Sequence, residues 1–256
     1  MKTLIFDTHA HYDDRRFDED RDELLAGMRE AGVGTIVNVG AAFDGCRAAV
    51  ELSRKWDFIY AAVGVHPDET GCLDEEHIAQ LKAWAAEPKT VAIGEIGLDY
   101  HNDVEPHEFQ QKWFIRQIGL AREVGLPILV HSRDAVQDTY DIIRDHAAGM
   151  TGIIHAFSAS KEMALKYIEL GYYIGMGGVV TFKNGKKAKE VVAAIPLESL
   201  VLETDAPYLS PDPLRGRRND SAKLKYVVQM VASLKGVSEE EVIGTTTRNA
   251  CELFGI

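Results

Sequence analysis

The chain has 256 residues, of which 46% are hydrophobic and 27% are charged, with 22 Gly and 8 Pro. This is the composition of an ordinary soluble globular protein, which can bury a sizeable core without cross-links. The formal net charge of −12 argues against a protein that coats nucleic acid or an anionic membrane through its overall field, although it permits a local basic site.

Targeting and membrane segments are not expected. The apolar run at the N-terminus is interrupted by Asp7 and is too short for a signal peptide. No stretch approaches the roughly 20 apolar residues of a membrane-spanning helix. The three cysteines, Cys46, Cys72 and Cys251, are odd in number and lack CxxC spacing, which favours reduced thiols. We therefore predict a cytoplasmic protein without a membrane interaction.

Short β-rich runs alternate with longer segments of helical period from one end of the chain to the other. Most of the short runs are rich in Val, Ile, Leu and Ala, as expected of parallel strands covered on both faces. Eight strands are predicted: Leu4–Asp7, Thr35–Val39, Phe58–Val63, Thr90–Ile93, Pro127–Val130, Thr151–Ile154, Tyr172–Met176 and Ser199–Leu202.

Helical patterns fill the gaps between these strands. They cover Glu19–Ala31, Gly45–Lys55, Glu75–Ala85, Pro106–Val124, Asp134–His146, Lys161–Leu170, Gly185–Ala194, Lys223–Lys235 and Glu239–Phe254. Eight strand–helix units within about 250 residues predict an α/β fold of the (β/α)8 TIM-barrel type, forming a single domain over residues 1–256. The competing topology is an open doubly wound sheet, but the position of its Gly-rich phosphate loop holds Thr8-His9-Ala10-His11 instead.

Imidazoles and carboxylates follow the predicted strands at the points where the strands end. Four histidines and two acids close five different strands: His9, His11, Glu95, His131, His155 and Asp205. Taken singly, each is more often a satisfied polar residue, a rim carboxylate or a helix cap than a ligand. Their concentration at the C-terminal face of a barrel, where sites are built, instead favours a metal site.

Six motifs occur in order along the chain. They are Phe6-Asp7-Thr8-His9-Ala10-His11, Gly64-Val65-His66-Pro67, Gly94-Glu95-Ile96-Gly97-Leu98-Asp99-Tyr100, Pro127-Ile128-Leu129-Val130-His131-Ser132-Arg133, His155-Ala156-Phe157-Ser158 and Glu203-Thr204-Asp205-Ala206-Pro207-Tyr208. In order and spacing the chain resembles the TatD family of metal-dependent hydrolases, within the amidohydrolase superfamily. Many members of that family are described as deoxyribonucleases. The resemblance covers nearly the whole chain.

The resemblance implies two divalent ions per chain. His9, His11, Glu95 and Asp205 would hold one ion, and Glu95, His131 and His155 would hold the other, so that Glu95 bridges them. Since Glu95 occupies the position where the superfamily often has a carboxylated lysine, no lysine modification is required. Mixed imidazole and carboxylate ligands favour Zn²⁺ or Mn²⁺, whereas the resemblance to deoxyribonucleases keeps Mg²⁺ open.

Catalytic roles are predicted for two acids at the end of the eighth strand. Asp205 is expected to be both a ligand and the general base for the attacking water. Glu203 lies two residues earlier on the same face and is expected to orient Asp205 or a histidine ligand. The alternative for Glu203 is a buried carboxylate paired with a cation of the barrel.

Basic residues cluster after the seventh and eighth strands, where barrels often bind phosphate. We predict substrate contacts from Lys183 and Arg215 in these loops. His66, after the third strand, is a further candidate, and a role in shaping its loop explains it equally well. Arg133 is the best single candidate for gripping a phosphate, because its planar guanidinium matches the oxygens.

The leading hypothesis is a two-metal phosphodiesterase that acts on DNA ends, including 3′ ends, or on single strands. An acidic chain with a local basic rim suits a strand end better than a coated duplex. Hydrolysis of an amide or ester is the alternative among enzymes, because the same ions can polarise a carbonyl. A metal-binding barrel without turnover is the alternative from another class. No obligate protein partner can be inferred from the sequence.

Overall fold

The structure, a computed structural model, describes residues 3–102 and 104–256. In these described residues, eight parallel strands follow one another in sequence order around a single sheet, each paired with the next. The strands are β1 Ile5–Ala10, β2 Val33–Val39, β3 Ile59–Val63, β4 Thr90–Asp99, β5 Ile128–Arg133, β6 Gly152–Ile154, β7 Tyr172–Met176 and β8 Leu200–Leu202.

The last strand returns beside the first, so the sheet curls into a nearly closed barrel. Beyond the end of β8, Asp205 donates its backbone N–H to the carbonyl of His9 (2.9 Å), and His11 donates to the carbonyl of Ala206 (2.7 Å). The Thr8 hydroxyl also donates to the carbonyl of Leu202. This closure confirms the (β/α)8 barrel and excludes the open doubly wound sheet.

Within residues 3–102 and 104–256, nine α-helices surround the barrel and connect its strands. They are α1 Arg21–Ala26, α2 Phe43–Lys55, α3 Glu75–Ala85, α4 His107–Val124, α5 Val136–His146, α6 Lys161–Glu169, α7 Lys186–Ala194, α8 Leu224–Lys235 and α9 Glu239–Phe254. Short 3₁₀ segments lie at Arg15–Phe17, Pro67–Cys72, Gly178–Thr181, Leu197–Ser199 and Ser221–Lys223. In the described part of the chain, no helix has the length and apolar character needed to cross a bilayer.

The barrel interior is filled at the end opposite the catalytic face of such folds. Buried apolar residues of the strands form a cluster here, which includes Phe6, Val37, Ala92, Leu129 and Val201. Phe254 of α9 stacks on Phe6, with ring centroids 5.8 Å apart, and plugs the N-terminal end. A larger apolar cluster packs the outer faces of the strands against the helices. The open end is therefore the C-terminal one.

The predicted strands are correct in number and place, but β2 begins two residues earlier than predicted, at Val33, and three other strands are too short at their C-terminal ends. β1, β4 and β5 extend to Ala10, Asp99 and Arg133, because each residue there finds a partner on the neighbouring strand. Consequently His9 lies inside β1 and Glu95 inside β4, rather than after them. The predicted first helix was too long, since only Arg21–Ala26 is helical and turns occupy the residues before β2.

Candidate metal centre

His9 of β1 and His11, the residue that follows the strand, bring two imidazoles to the same point at the mouth of the barrel. Residues two apart on a strand share a face, and the Nε2 atoms of His9 and His11 lie 3.1 Å apart. Both residues are at least nine-tenths buried. His11 Nδ1 lies 2.7 Å from the carbonyl of Val39. Because a carbonyl only accepts, Nδ1 carries a proton, and Nε2 is the nitrogen that faces the mouth.

Glu95 lies between two pairs of imidazoles. Its Oε2 is 3.4 Å from His9 Nε2 and 3.7 Å from His11 Nε2. Its Oε1 is 2.9 Å from His131 Nδ1 and 3.9 Å from His155 Nε2. Each carboxylate oxygen therefore faces its own pair of nitrogens, which is the arrangement that a bridging carboxylate requires.

Gly97 allows β4 to approach β5 closely enough for this contact. It adopts a φ of 145°, and a Cβ at this position would lie 2.0 Å from the carbonyl oxygen of His131. Only glycine fits there. The close approach places Glu95 and His131 side by side on neighbouring strands.

Asp205 faces both imidazole pairs from the loop after β8. Its Oδ1 is 3.4 Å from His11 Nε2 and 3.6 Å from His155 Nε2. The residue adopts a left-handed backbone with φ 56°. In the described chain, every non-glycine residue with positive φ follows a barrel strand at this same mouth: Asp134, Ala156, Asp205 and Leu209. Such strained positions concentrate at functional sites.

Further acceptors orient the outer nitrogens of the imidazoles. Glu203, buried beneath the mouth, has Oε2 3.1 Å from His155 Nδ1 and accepts the backbone N–H of Ala156 at Oε1 (2.6 Å). It therefore faces a histidine and not a lysine or arginine of the barrel. Glycine at position 175 makes room for it, because a Cβ there would lie 2.4 Å from Oε2.

Asp99 is the orienting residue that the sequence analysis missed. Its Oδ2 lies 3.0 Å from His131 Nε2, while His131 Nδ1 faces Glu95. The four-residue spacing between Glu95 and Asp99 was the available signal. Residues an even number of positions apart on one strand share a face, and β4 is long enough to carry both.

Asp7 is a second missed residue, and it anchors β1 to the loop after β8. Its carboxylate accepts from the hydroxyls of Thr204 and Ser221, both at 2.6 Å, and from the Thr204 backbone N–H. Burial raises the pKa of Asp7 to about 7 against the lowering by these hydrogen bonds. Asp7 thereby holds the strand of His9 against the loop of Asp205.

The imidazoles of the mouth have strongly displaced pKa values. Burial and the neighbouring His155 lower the pKa of His9 to about 4. Burial also lowers the pKa of His11, but Asp205 and Glu95 outweigh it and raise the value to about 10. In the same way Asp99 and Glu95 raise the pKa of His131 to about 9, and Glu203 and Glu95 raise that of His155 to about 9. Without a bound cation, His11, His131 and His155 are therefore protonated at neutral pH.

The residues fit divalent metal ions. Nitrogen ligands bind zinc at about 2.0–2.1 Å in a tetrahedral arrangement, so two of them on one ion lie roughly 3.3 Å apart. The Nε2 atoms of His9 and His11 are 3.1 Å apart, close to that separation. His9 Nδ1 is buried without a hydrogen-bond partner in the described structure. Groups able to hold a metal include His9, His11 and Asp205; His9, His155 and Glu203; and His66, Asp99 and His131.

The centre lies in a cavity of about 760 Å³. His66 and Arg133 line this cavity, together with His11, Glu95, His131, His155 and Asp205. His66 also accepts the backbone N–H of Asp68 at Nδ1, so it shapes its loop, and its ring meets that of His131 at a centroid distance of 4.3 Å.

The two other predicted substrate contacts lie outside the described lining of the cavity. Lys183 is exposed beyond β7. The guanidinium of Arg215 lies over the ring of Phe182 at 4.3 Å.

A (β/α)8 barrel whose mouth gathers imidazoles and carboxylates able to bind metal is the architecture of a metal-dependent hydrolase. The comparisons with known proteins agree. The family described as TatD related DNase matches residues 6–255. The chain therefore belongs to the TatD family of metal-dependent hydrolases.

Relatives match the chain over nearly its whole length. The metal-dependent hydrolase YabD of Bacillus subtilis strain 168, described as uncharacterised, is 44% identical over 99% of this chain and all of its own. The 3′-5′ ssDNA/RNA exonuclease TatD of Cronobacter sakazakii is 32% identical over 98% of this chain and 97% of its own. The crystal structure of the TatD homologue YjjV from Escherichia coli K12 superimposes with a TM-score of 0.94 at 30% identity, covering both chains completely.

Proposed function

We propose that the protein is a divalent-metal-dependent deoxyribonuclease that removes nucleotides from single-stranded DNA ends in the 3′-to-5′ direction. The observation that carries the proposal is the position of Glu95, whose two carboxylate oxygens each face a separate pair of imidazoles. Such a carboxylate suits a binuclear centre, the kind of site that hydrolyses phosphodiesters.

The proposal assigns ligands to two ions of Mg²⁺, Mn²⁺ or Zn²⁺. His9, His11 and Asp205 would hold one ion, His131 and His155 would hold the other, and Glu95 would be shared by both. When bound, the ions supply Lewis acidity, which activates a water and stabilises the charge on the phosphodiester oxygens.

Asp205 is the proposed general base. Burial raises its pKa, but the hydrogen bond with His11 and the charge of His155 outweigh burial and keep the value below its ordinary range. The carboxylate is therefore ionised at neutral pH and able to accept the proton of the attacking water. Because Glu203 and Asp99 hold the outer nitrogens of His155 and His131, the two imidazoles keep their orientation while the proton moves.

A phosphodiester is favoured over an amide or ester by the chemistry of the mouth and by a relative. Arg133 lies at the end of β5 beside His131 and lines the cavity, where its guanidinium can pair with phosphate oxygens. Lys183 and Arg215 are proposed to contact more distant phosphates. A relative 32% identical over nearly the whole chain is named as a 3′-5′ ssDNA/RNA exonuclease.

A substrate panel tests this function. The metal-depleted protein is supplemented with Mg²⁺, Mn²⁺ or Zn²⁺ and incubated with single-stranded DNA labelled at either end, with RNA, and with acyl amides and esters. We expect a ladder of shortened products from 5′-labelled DNA and release of the label as mononucleotide from 3′-labelled DNA. Hydrolysis of the amides or esters alone would replace the proposal with the superfamily alternative, and absence of turnover would favour a non-catalytic barrel.

The cellular setting is part of the same proposal. Residues 1–256 act as one hydrolase domain in the cytoplasm, without an obligate protein partner. The three free cysteines, of which Cys46 is buried, suit a reducing compartment.

A further inference from the structure

We infer that Tyr208, together with Leu209, forms a stacking platform for one nucleobase of the substrate strand, directly beside the metal centre. This inference rests on the proposed function and specifies how the strand is seated. It explains why an aromatic ring and an aliphatic side chain stand exposed in a cavity most of whose other lining residues are polar.

Tyr208 is tied to the metal ligands by its backbone. It follows Asp205 by three residues, and its N–H donates to the carbonyl of Asp205 (2.8 Å). Its ring meets the ring of His11 edge to face, with centroids 6.4 Å apart. The platform is therefore held at a defined distance from the ligands.

Tyr208 and Leu209 are both unusually exposed for large hydrophobic side chains. Tyr208 is 41% exposed and Leu209 is 37% exposed, and both line the cavity of the metal centre. Leu209 also adopts a left-handed backbone with φ 50°, which costs free energy for any residue with a side chain. An exposed apolar patch held in this way marks a binding surface.

The ring of Tyr208 is held in place before any ligand arrives. The guanidinium of Arg16 lies over one face of the ring, 4.4 Å from its centroid. The hydroxyl donates to Asp14 Oδ2 at 3.1 Å. Arg218 donates to the backbone carbonyl of Arg16 and pairs with Asp20, which joins the two loops. Arg16 covers one face, so we assign the base to the other face, and because the ring is already fixed, little freedom is lost when a flat ligand stacks on it.

The charges around Tyr208 favour a neutral nucleobase over a phosphate as the group that contacts the ring. Asp13 and Asp14 line the cavity on this side, and the guanidinium on the ring, that of Arg16, is already paired with Asp14 at 3.7 Å. Arg133, the arginine of the described lining, is the last residue of β5. A phosphate at Tyr208 would be repelled by these carboxylates, but a neutral base would not. Consecutive nucleotides rise about 3.4 Å per strand, so a ring 6.4 Å from His11 is within one or two nucleotides of the centre. Stacking on an aromatic ring tolerates any base, as an exonuclease requires.

The test combines enzyme variants with abasic substrates. Cleavage of a 5′-labelled single-stranded oligonucleotide is compared with cleavage of matched oligonucleotides whose terminal or penultimate nucleotide lacks its base. We expect Tyr208→Ala to lower kcat/KM on the intact strand about 10-fold, mostly through KM, because stacking on an aromatic ring contributes about that much per base. On one of the two abasic strands the variant and the wild type should differ less than 2-fold.

Two further variants separate stacking from structural damage. Tyr208→Phe keeps the ring and should retain most of the wild-type kcat/KM although it loses the bond to Asp14. Leu165→Ala is the matched control, because Leu165 is also 41% exposed but lies on α6 outside the described cavity lining. It should leave cleavage unchanged.

The possible failures are distinguishable. An equal loss in Tyr208→Ala on intact and on both abasic strands, or no loss at all, overturns the platform while leaving the proposed nuclease intact. If the wild type cleaves none of the oligonucleotides under any metal, the proposed function fails and the platform with it.

Discussion

Replacing Gly175 with alanine should damage the metal centre without touching any proposed metal ligand. A Cβ at position 175 would lie 2.4 Å from Glu203 Oε2 and 2.8 Å from Cδ of the same residue. Ordinary van der Waals contact begins at 3.4 Å, so the carboxylate has to move by about 1 Å. Because Oε2 is now 3.1 Å from His155 Nδ1, such a movement breaks or weakens the contact that orients His155.

The expected cost follows from these contacts. Removing the group that orients a metal-binding histidine lowers metal affinity or activity by roughly 10- to 100-fold. Overpacking a buried site costs about 1–3 kcal/mol of folding free energy. Metal-dependent DNA hydrolysis by Gly175→Ala should therefore fall by one to two orders of magnitude, and thermal unfolding should shift downward by a few degrees.

Two comparisons make this prediction decisive. Gly244→Ala, in α9, places a Cβ with no heavy atom within 4 Å, so it should leave activity unchanged and slightly raise stability. In a Glu203→Ala background the carboxylate that clashes is gone, so Gly175→Ala should add almost no further loss of activity. If Gly175→Ala is as harmful in that background as in the wild type, the assigned role of Glu203 is wrong.

Three further predictions concern the proton, the metal and the phosphate. Asp205→Asn should keep most of the bound metal but lose about 10²–10⁴-fold in kcat, because it removes general-base catalysis; an acidic limb of the pH–rate profile that persists unchanged in this variant would contradict it. Metal affinity should rise with pH, because the pKa values of His131 and His155, raised to about 9, mean that binding at neutral pH displaces protons. Calorimetry in buffers of different ionisation enthalpy counts the released protons, and zero release at neutral pH would refute this assignment. Arg133→Ala and Lys183→Ala should each weaken DNA binding and reduce its salt dependence with metal content unchanged; normal affinity and salt dependence in both variants would refute the phosphate contacts.

The architecture was predictable because its signals are local. Near-continuous apolar runs alternate with helical periods, and in the described residues each predicted strand and helix occurs in its predicted order, although the first helix is shorter than predicted. The strand ends were not predictable in the same way. β4 continues to Asp99 because β5 lies alongside it, with Gly97 opposite His131, and such a pairing depends on the fold and not on the local sequence.

The residues of the site also differ in how far the sequence predicts them. The ligand candidates are recognisable because histidines and acids at the ends of strands are conspicuous in an apolar pattern. The groups that orient them are not. Asp99 and Asp7 acquire their roles only through partners distant in the chain, such as His131 and Ser221. Likewise, the exposure of Tyr208 depends on how two loops pack against each other.

The central claim is that Glu95 joins two metal ions in a centre that hydrolyses DNA. Its most direct test is a titration of the metal-depleted protein with Mn²⁺ while the shortening of a 5′-labelled single-stranded oligonucleotide is followed. The account predicts that hydrolysis appears only with metal and saturates near two equivalents per chain, and that Glu95→Ala stays inactive at every metal concentration. Full activity of the metal-depleted protein, or wild-type rates in Glu95→Ala, would contradict it.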